Sequence, residues 1–233
     1  MAYIGSQPAN KPVVASDLDP AVITGQTALA VAPADTDEFL ISDAGTLKRI
    51  DASLIGGGGG LIFISSTNVT SNTAAVEFTG INSTYDNYKL IVTDLRTATD
   101  NVEIKIQVGN STDGYYTNHY QRAAIGKESN GDTAAGSGAG DGVNGIYLTN
   151  VNLGNASDES MGFEANFVKP STTDTHKLVY GMTGHINQHN RFTVMMFGGF
   201  FQDTVLAIDK FKVITSSGNI SRGRFTLFGV ANS

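Results

Sequence analysis

Four histidines could carry metal or proton chemistry: His119, His176, His185 and His189. Two of them, in Gly184-His185-Ile186-Asn187-Gln188-His189, are four residues apart. On a strand that spacing puts both on one face but about 13 Å apart, too far to share an ion. A turn at Asn187-Gln188 would bring them closer. There are no cysteines, so thiol chemistry, disulfides and thiolate metal sites are excluded. A pair of carboxylates could hydrolyse a glycan. Asp113, Asp158-Glu159 and Asp203 are candidates only because acids occur there; no spacing selects a pair, Asp113 suits a turn before Gly114, and Asp158-Glu159 suits a polar loop. The glycine-rich stretch 126–145 lacks the Gly-Lys-Ser/Thr ending of a phosphate cradle and has one cation, Lys127. No catalytic, cofactor or metal set emerges, and a non-enzymatic protein is expected.

Sugar recognition has a better candidate. Tyr115-Tyr116-Thr117-Asn118-His119-Tyr120-Gln121 mixes aromatic rings with amide groups, as shallow carbohydrate sites do. Tyr115, Tyr116, His119 and Tyr120 are therefore candidate receptor or glycan contacts. The competing reading is an aromatic strand packed on a core. Met195-Met196-Phe197 with Phe200-Phe201 reads as core or as a subunit interface, because exposed it would invite aggregation.

These residues need a scaffold, and Gly56 to Gly60 divide the chain that must supply it. Five glycines in a row are poor material for a packed element, and as a flexible coil they span about 12 Å. Residues 1–35 hold four of the five prolines, Pro8, Pro12, Pro20 and Pro33, and read as an extended arm. Asp17-Leu18-Asp19-Pro20 can open one helical turn through Ile23. Residues 36–55 read as a hairpin module. Phe39 to Ser42 form one strand, Asp43-Ala44-Gly45 a tight turn, and Thr46 to Ile50 the return. Asp51 then caps a short turn to Ile55. A lone hairpin is marginal in water, so copies of the chain or a partner must cover it.

Residues 61–233 form a third part, large enough to bury roughly 70% of its unfolded surface. Short apolar runs recur at Leu61–Ser65, Val76–Phe78, Tyr88–Val92, Val102–Val108, Tyr115–Tyr116, Ile146–Leu153, Met161–Val168, Lys177–Met182, Phe192–Phe201, Val205–Ile214 and Phe225–Val230. The strict alternation of Val102, Ile104, Ile106 and Val108 with Glu103, Lys105 and Gln107 predicts a half-buried strand. Residues 126–145 read as a long loop. No segment keeps a helical period. The predicted fold class is all-β, a jelly-roll or β-sandwich body with an extended arm and a small hairpin module. The formal charge of −7 excludes a nucleic-acid partner, and no apolar run approaches the ~20 residues of a membrane helix.

Four segments carry a family resemblance. Met1-Ala2-Tyr3-Ile4-Gly5-Ser6-Gln7-Pro8-Ala9 resembles the start of tail-fibre and other virion proteins of tailed bacteriophages, marine ones especially. Thr36 to Ile50 resembles a module that recurs in phage fibres ahead of the distal domain. Tyr85-Asp86-Asn87-Tyr88 with Thr97 to Val102, and Gly223 to Val230, resemble parts of their β-rich distal domains. The resemblance implies a homotrimeric virion protein, assembled in the host cytoplasm. Its arm, with Tyr3, Ile4, Pro8 and Pro12, would dock on tail or capsid proteins, and its body would face a host surface glycan. No collagen-like, heptad or β-helical shaft follows. The expectation is a short tail fibre or fibre-like appendage, with a capsid decoration protein or head fibre as the alternative and a glycan-degrading tailspike as a second. Recognition should lie at the outward end of the body, with the 126–145 loop and the Tyr115–Tyr120 segment.

Overall fold

The computed structural model describes residues 21, 25, 27, 33–34, 36–55, 60–131, 137–203 and 205–231. The arm residues Tyr3, Ile4, Pro8 and Pro12 lie outside them, as do the Asp17–Pro20 capping segment and 56–59 of the glycine joint. The chain divides into two units, Met1–Gly57 and Gly58–Ser233.

In the first unit, β1 (Glu38–Asp43) pairs antiparallel with β2 (Thr46–Asp51). Ala44 (φ 49°) and Gly45 (φ 82°) make the two-residue connection, with positive φ at both positions as a tight hairpin turn demands. Asp51 stands at the N-cap of a single 3-10 turn, Ala52–Leu54, but its side chain makes no capping bond, contrary to expectation. The Ala52 N–H donates instead to the Asp37 carbonyl at 2.6 Å. Lys48–Asp43 and Arg49–Glu38 pair across the strands at 2.5 and 2.9 Å, both exposed and worth little. Every residue of β1 is exposed. Phe39, Leu40 and Ile41 remain 43%, 73% and 37% accessible. Among the described residues, nothing covers either face.

The second unit is a β-sandwich. Its strands are β3 (Leu61–Val69), β4 (Ala75–Thr79), β5 (Asn87–Thr97), β6 (Ile104–Asn110), β7 (Gly114–Tyr115), β8 (Tyr120–Glu128), β9 (Ser137–Val143), β10 (Ile146–Tyr147), β11 (Met161–Val168), β12 (Leu178–Ile186), β13 (Phe192–Phe201), β14 (Lys210–Thr215) and β15 (Ile220–Val230). The large sheet runs β3-β15-β5-β11-β12-β13-β8-β9, and the small one β10-β6-β14-β4 with β7 beside β6. The chain passes repeatedly from one layer to the other. Phe211 on β14 stacks on Phe78 of β4 (4.9 Å between ring centres) and, across the layers, on Phe167 of β11 (4.1 Å). The Tyr120 hydroxyl accepts the Val108 N–H at 2.8 Å and donates to the Tyr116 carbonyl at 3.0 Å, tying the two sheets together.

Four segments differ from expectation. The glycine-rich stretch 126–145 is no long loop, since it holds the end of β8 and all of β9. As an edge strand, β9 needs only backbone bonds on one side. Gly126 lies so close to β13 that a Cβ would sit 2.2 Å from the Val194 carbonyl, so its small size serves packing. The alternating strand β6 is buried on both faces, with Lys105 and Gln107 each 5% exposed. Asn144 covers them, its Oδ1 accepting from Lys105 Nζ (3.3 Å) and its carbonyl from Gln107 Nε2 (2.7 Å). Burial lowers the Lys105 pKa, with Glu103 opposing. Ile146–Leu153 and Val205–Ile214 are strands only over Ile146–Tyr147 and from Lys210 onward, because Leu148, Leu153 and Ile208 fill the core from irregular backbone.

Antiparallel register fixes two ends. The body begins at Gly60–Leu61, and this root end holds Val230, Asn87, Val168, Leu178, Phe201 and Tyr120. The far end holds Val69, Arg222, Thr97, Met161, Ile186, Phe192 and Glu128.

Candidate functional site

At the far end, the outer face of β3-β15-β5 is broken by irregularity. Pairing of β15 with β5 shifts twice, between Ile220 and Arg222 and between Arg222 and Arg224. Such bulges bend a strand and re-aim its side chains. Gly223 sits buried at φ 147°, where a Cβ would meet Leu95 Cα and Phe225 Cε2 at 3.1 Å. Opposite it, Asp94 takes the left-handed conformation at φ 50°, uncommon for a residue with a side chain. The distortion opens a cleft of about 490 Å³ lined by Asn68, Thr70, Thr93, Asp94, Ser221, Arg222 and Arg224.

The cleft is electropositive. Asp94 accepts from Arg96 Nε at 3.0 Å and from Arg222 Nε at 2.6 Å, one on each oxygen. Arg96 also donates to the Ser157 carbonyl. Arg224 makes a long contact, 3.4 Å, with the Ser66 hydroxyl. Of the groups lining the cleft, two guanidiniums, Arg222 and Arg224, stand against one carboxylate, Asp94, a local excess of one positive charge on a chain of net charge −7. Guanidinium forks suit planar or tetrahedral oxyanions, and the hydroxyl and amide neighbours suit polyols. The arrangement can hold an anionic, hydroxyl-rich ligand. The signal for it was the isolated glycine in Arg222-Gly223-Arg224, which marks a bulge inside a strand pattern.

The aromatic candidates do not converge. Tyr115, on β7, lies on the small sheet beneath Lys212 and Lys210, whose Nζ atoms are 4.3 and 4.9 Å from its ring centre. Burial first, then Glu77, raise its pKa. Tyr116 stacks flat on Phe201, 4.0 Å between ring centres and 1° between planes. Its hydroxyl accepts from Asn110 Nδ2 (2.8 Å) and donates to Asp113 (3.1 Å). Burial, then Asp113, push its pKa to about 12. His119 stands in a turn at φ 60° with Nδ1 against the Asp203 carboxylate. Tyr120 is fully buried, so the expectation that it contacts a glycan is overturned, and the core reading explains it. Tyr116 and Tyr120 lie at the root end beside Phe201, whereas β8 ends at the far end with Glu128 opposite Thr193. The expectation that this segment and the 126–145 stretch face outward together fails, because antiparallel pairing puts the two ends of β8 at opposite ends of the sheet.

Three of the histidine and carboxylate candidates, His185, His189 and Glu159, make structural contacts. His185 is buried, with Nε2 donating to the Val151 carbonyl at 3.0 Å. Burial pulls its pKa down to about 4, against the smaller raising effect of that bond. His189 lies in the β12–β13 turn, where its backbone N–H donates to Asn187 Oδ1 at 2.9 Å. Glu159 is buried, and accepts the Ala156 N–H at 2.7 Å. Among the described residues no group of three His, Asp or Glu is placed to hold a metal ion. The Met195–Phe201 run splits by parity. Met195, Phe197 and Phe201 enter the core, while Met196 points outward and is 63% exposed. Compared with known protein families, with curated proteins and with solved structures, the chain finds no match in any of the three.

Proposed function

We propose that this chain is a structural component of a tailed-bacteriophage particle, a short tail fibre or fibre-like appendage with a host-attachment role. In this reading the arm with Tyr3, Ile4, Pro8 and Pro12 docks on the virion, and the chain assembles as a homotrimer in the host cytoplasm. The observation that carries it is the hairpin β1–β2, in which Phe39, Leu40 and Ile41 are exposed on a two-stranded sheet. Such a sheet gains stability only from neighbours, which suits an assembly module placed ahead of an independently cored sandwich. The sequence resemblance at Thr36–Ile50 concerns the same residues. The Arg222–Arg224 cleft, at the end of the body away from the joint, is the surface on which a host glycan bearing acidic groups would bind.

The short joint favours a second reading. Five glycines give a reach of about 12 Å, which suits a decoration held close to a capsid as well as a tail appendage. Gold-labelled antibody against the body, imaged on intact particles, tests both. Label on the tail supports the fibre, and label on the head moves the proposal to decoration. Its absence from particles that contain the intact gene overturns the virion reading.

A further inference from the structure

We infer that the outer face of the large sheet over β12, β13 and β8 is a homotypic interface, covered by the same face of a second copy of this chain, a two-fold contact separate from any three-fold association of the hairpin and arm. The inference does not rest on the virion reading. Cross-strand register lines the outward side chains into rows. Met182, Met196 and Ile125 form a ridge of large apolar groups across the three strands. The adjacent row, Tyr180, Gly198 and Ala123, is low in its middle. There a hollow of about 350 Å³ opens over Gly198 and Gly199, walled by Leu178, Tyr180 and Phe200. A ridge beside a hollow is self-complementary, because a copy turned over can seat its ridge in the other's hollow.

The size of the face fits such a contact. Ile125, Leu178, Tyr180, Met182, Phe192, Val194 and Met196 are between 39% and 64% exposed. At roughly 200 Å² per large side chain, about 700 Å² of apolar surface stands in water. That exceeds the largest patch of an ordinary monomer, about 300–600 Å², and approaches the ~800 Å² each partner gives to a stable interface. Charge fits as well. Lys89 and Glu164 beside the ridge neutralise each other at 2.7 Å, Lys127 stands one row beyond it, and Arg122, which also lines the hollow, turns its guanidinium onto the Tyr147 ring, 4.3 Å from the ring centre. The face therefore carries little of the chain's negative charge, and two copies can meet there without repulsion. Exposed methionines in an apolar, weakly charged patch are typical of protein interfaces.

Peroxide oxidation of the full chain tests this, read by peptide mass spectrometry at Met182 and Met196. In a lone chain the two residues are 49% and 63% exposed and convert at a rate close to that of free methionine. The expected result is severalfold slower conversion of both at micromolar concentration, with protection lost on dilution and in Ile125→Glu, while thermal melting stays that of a folded body. Tyr180→Asp serves the same purpose should Ile125→Glu fail to fold. Conversion at the free-methionine rate in the undiluted wild type overturns the proposal. It would then be an uncovered face, or one closed by a different partner. Protection that survives either folded variant overturns it too.

Discussion

Phe39 and Phe211 are the same residue type in strands of similar length, and their surroundings are opposite. Phe211 is 1% exposed between two other rings, whereas Phe39 is 43% exposed on a hairpin. The contrast separates two kinds of order. The sandwich holds its own core, so its strands should persist in a single chain at any dilution. The hairpin has correct turn chemistry and a complete ladder but, within its own unit, no neighbour among the described residues against which to bury Phe39, Leu40 and Ile41. Its order should therefore depend on association. Substitutions ought to sort accordingly, into those that lower the melting of the body and those that act on assembly alone.

The largest effect is expected from Phe211→Ala. It removes a ring that joins both layers, and should destabilise the body by about 3–5 kcal/mol without weakening hairpin association among chains that stay folded. Denaturant unfolding followed by tyrosine fluorescence reads it. Acid comes next. The folded pKa of His185, about 4, lies below the ordinary 6.5, so the unfolded chain binds that proton first. This contribution to stability is complete above about pH 6.5 and is lost as pH falls toward 4, of order 3 kcal/mol in all. His185→Gln should flatten this part of the profile of Tm against pH. An unchanged profile would mean that His185 titrates normally.

A third substitution probes a turn that is held by side chains. Asn187 Oδ1 accepts the His189 and Arg191 N–H groups, and its Nδ2 donates to Glu128 at 2.5 Å. Asn187→Ala leaves that buried carboxylate with only the partly exposed Arg191 at 3.4 Å, and should cost about 1–3 kcal/mol of body stability. Gly45→Ala crosses to the other region. Its positive φ makes a side chain there cost about 1 kcal/mol, visible as weaker association with no change in body melting. Lys48→Ala should shift either readout by less than about 0.5 kcal/mol, since the pair it breaks is exposed.

Much of this contrast was legible in the residues. The turn at Ala44-Gly45 and the strands Met161–Val168 and Phe192–Phe201 follow from turn chemistry and alternation, which are local properties. Failure came where a distant partner decides the outcome. Gly126 and β9 looked like loop because small residues score poorly as strand, yet the close approach of β13 requires the glycine at 126, and β9 forms by pairing along β8. Lys105 and Gln107 looked solvent-facing until a loop forty residues away covered them. The Tyr115–Tyr120 segment had the composition of a sugar site, but Tyr120 faces the core and Tyr116 lies flat on Phe201. The glycine of Arg222-Gly223-Arg224 signals the bulge, but the cleft beside it also depends on which strands adjoin β15, and no local pattern contains that.

Hydrogen exchange of the full chain across a dilution series tests the contrast between the two regions most directly. The account predicts that amides of β5, β6, β11 and β14 stay protected at every concentration, whereas those of β1 and β2 lose protection as the assembly dissociates. Hairpin amides that remain protected in a demonstrably monomeric chain would contradict it, because the hairpin would then be stable without neighbours.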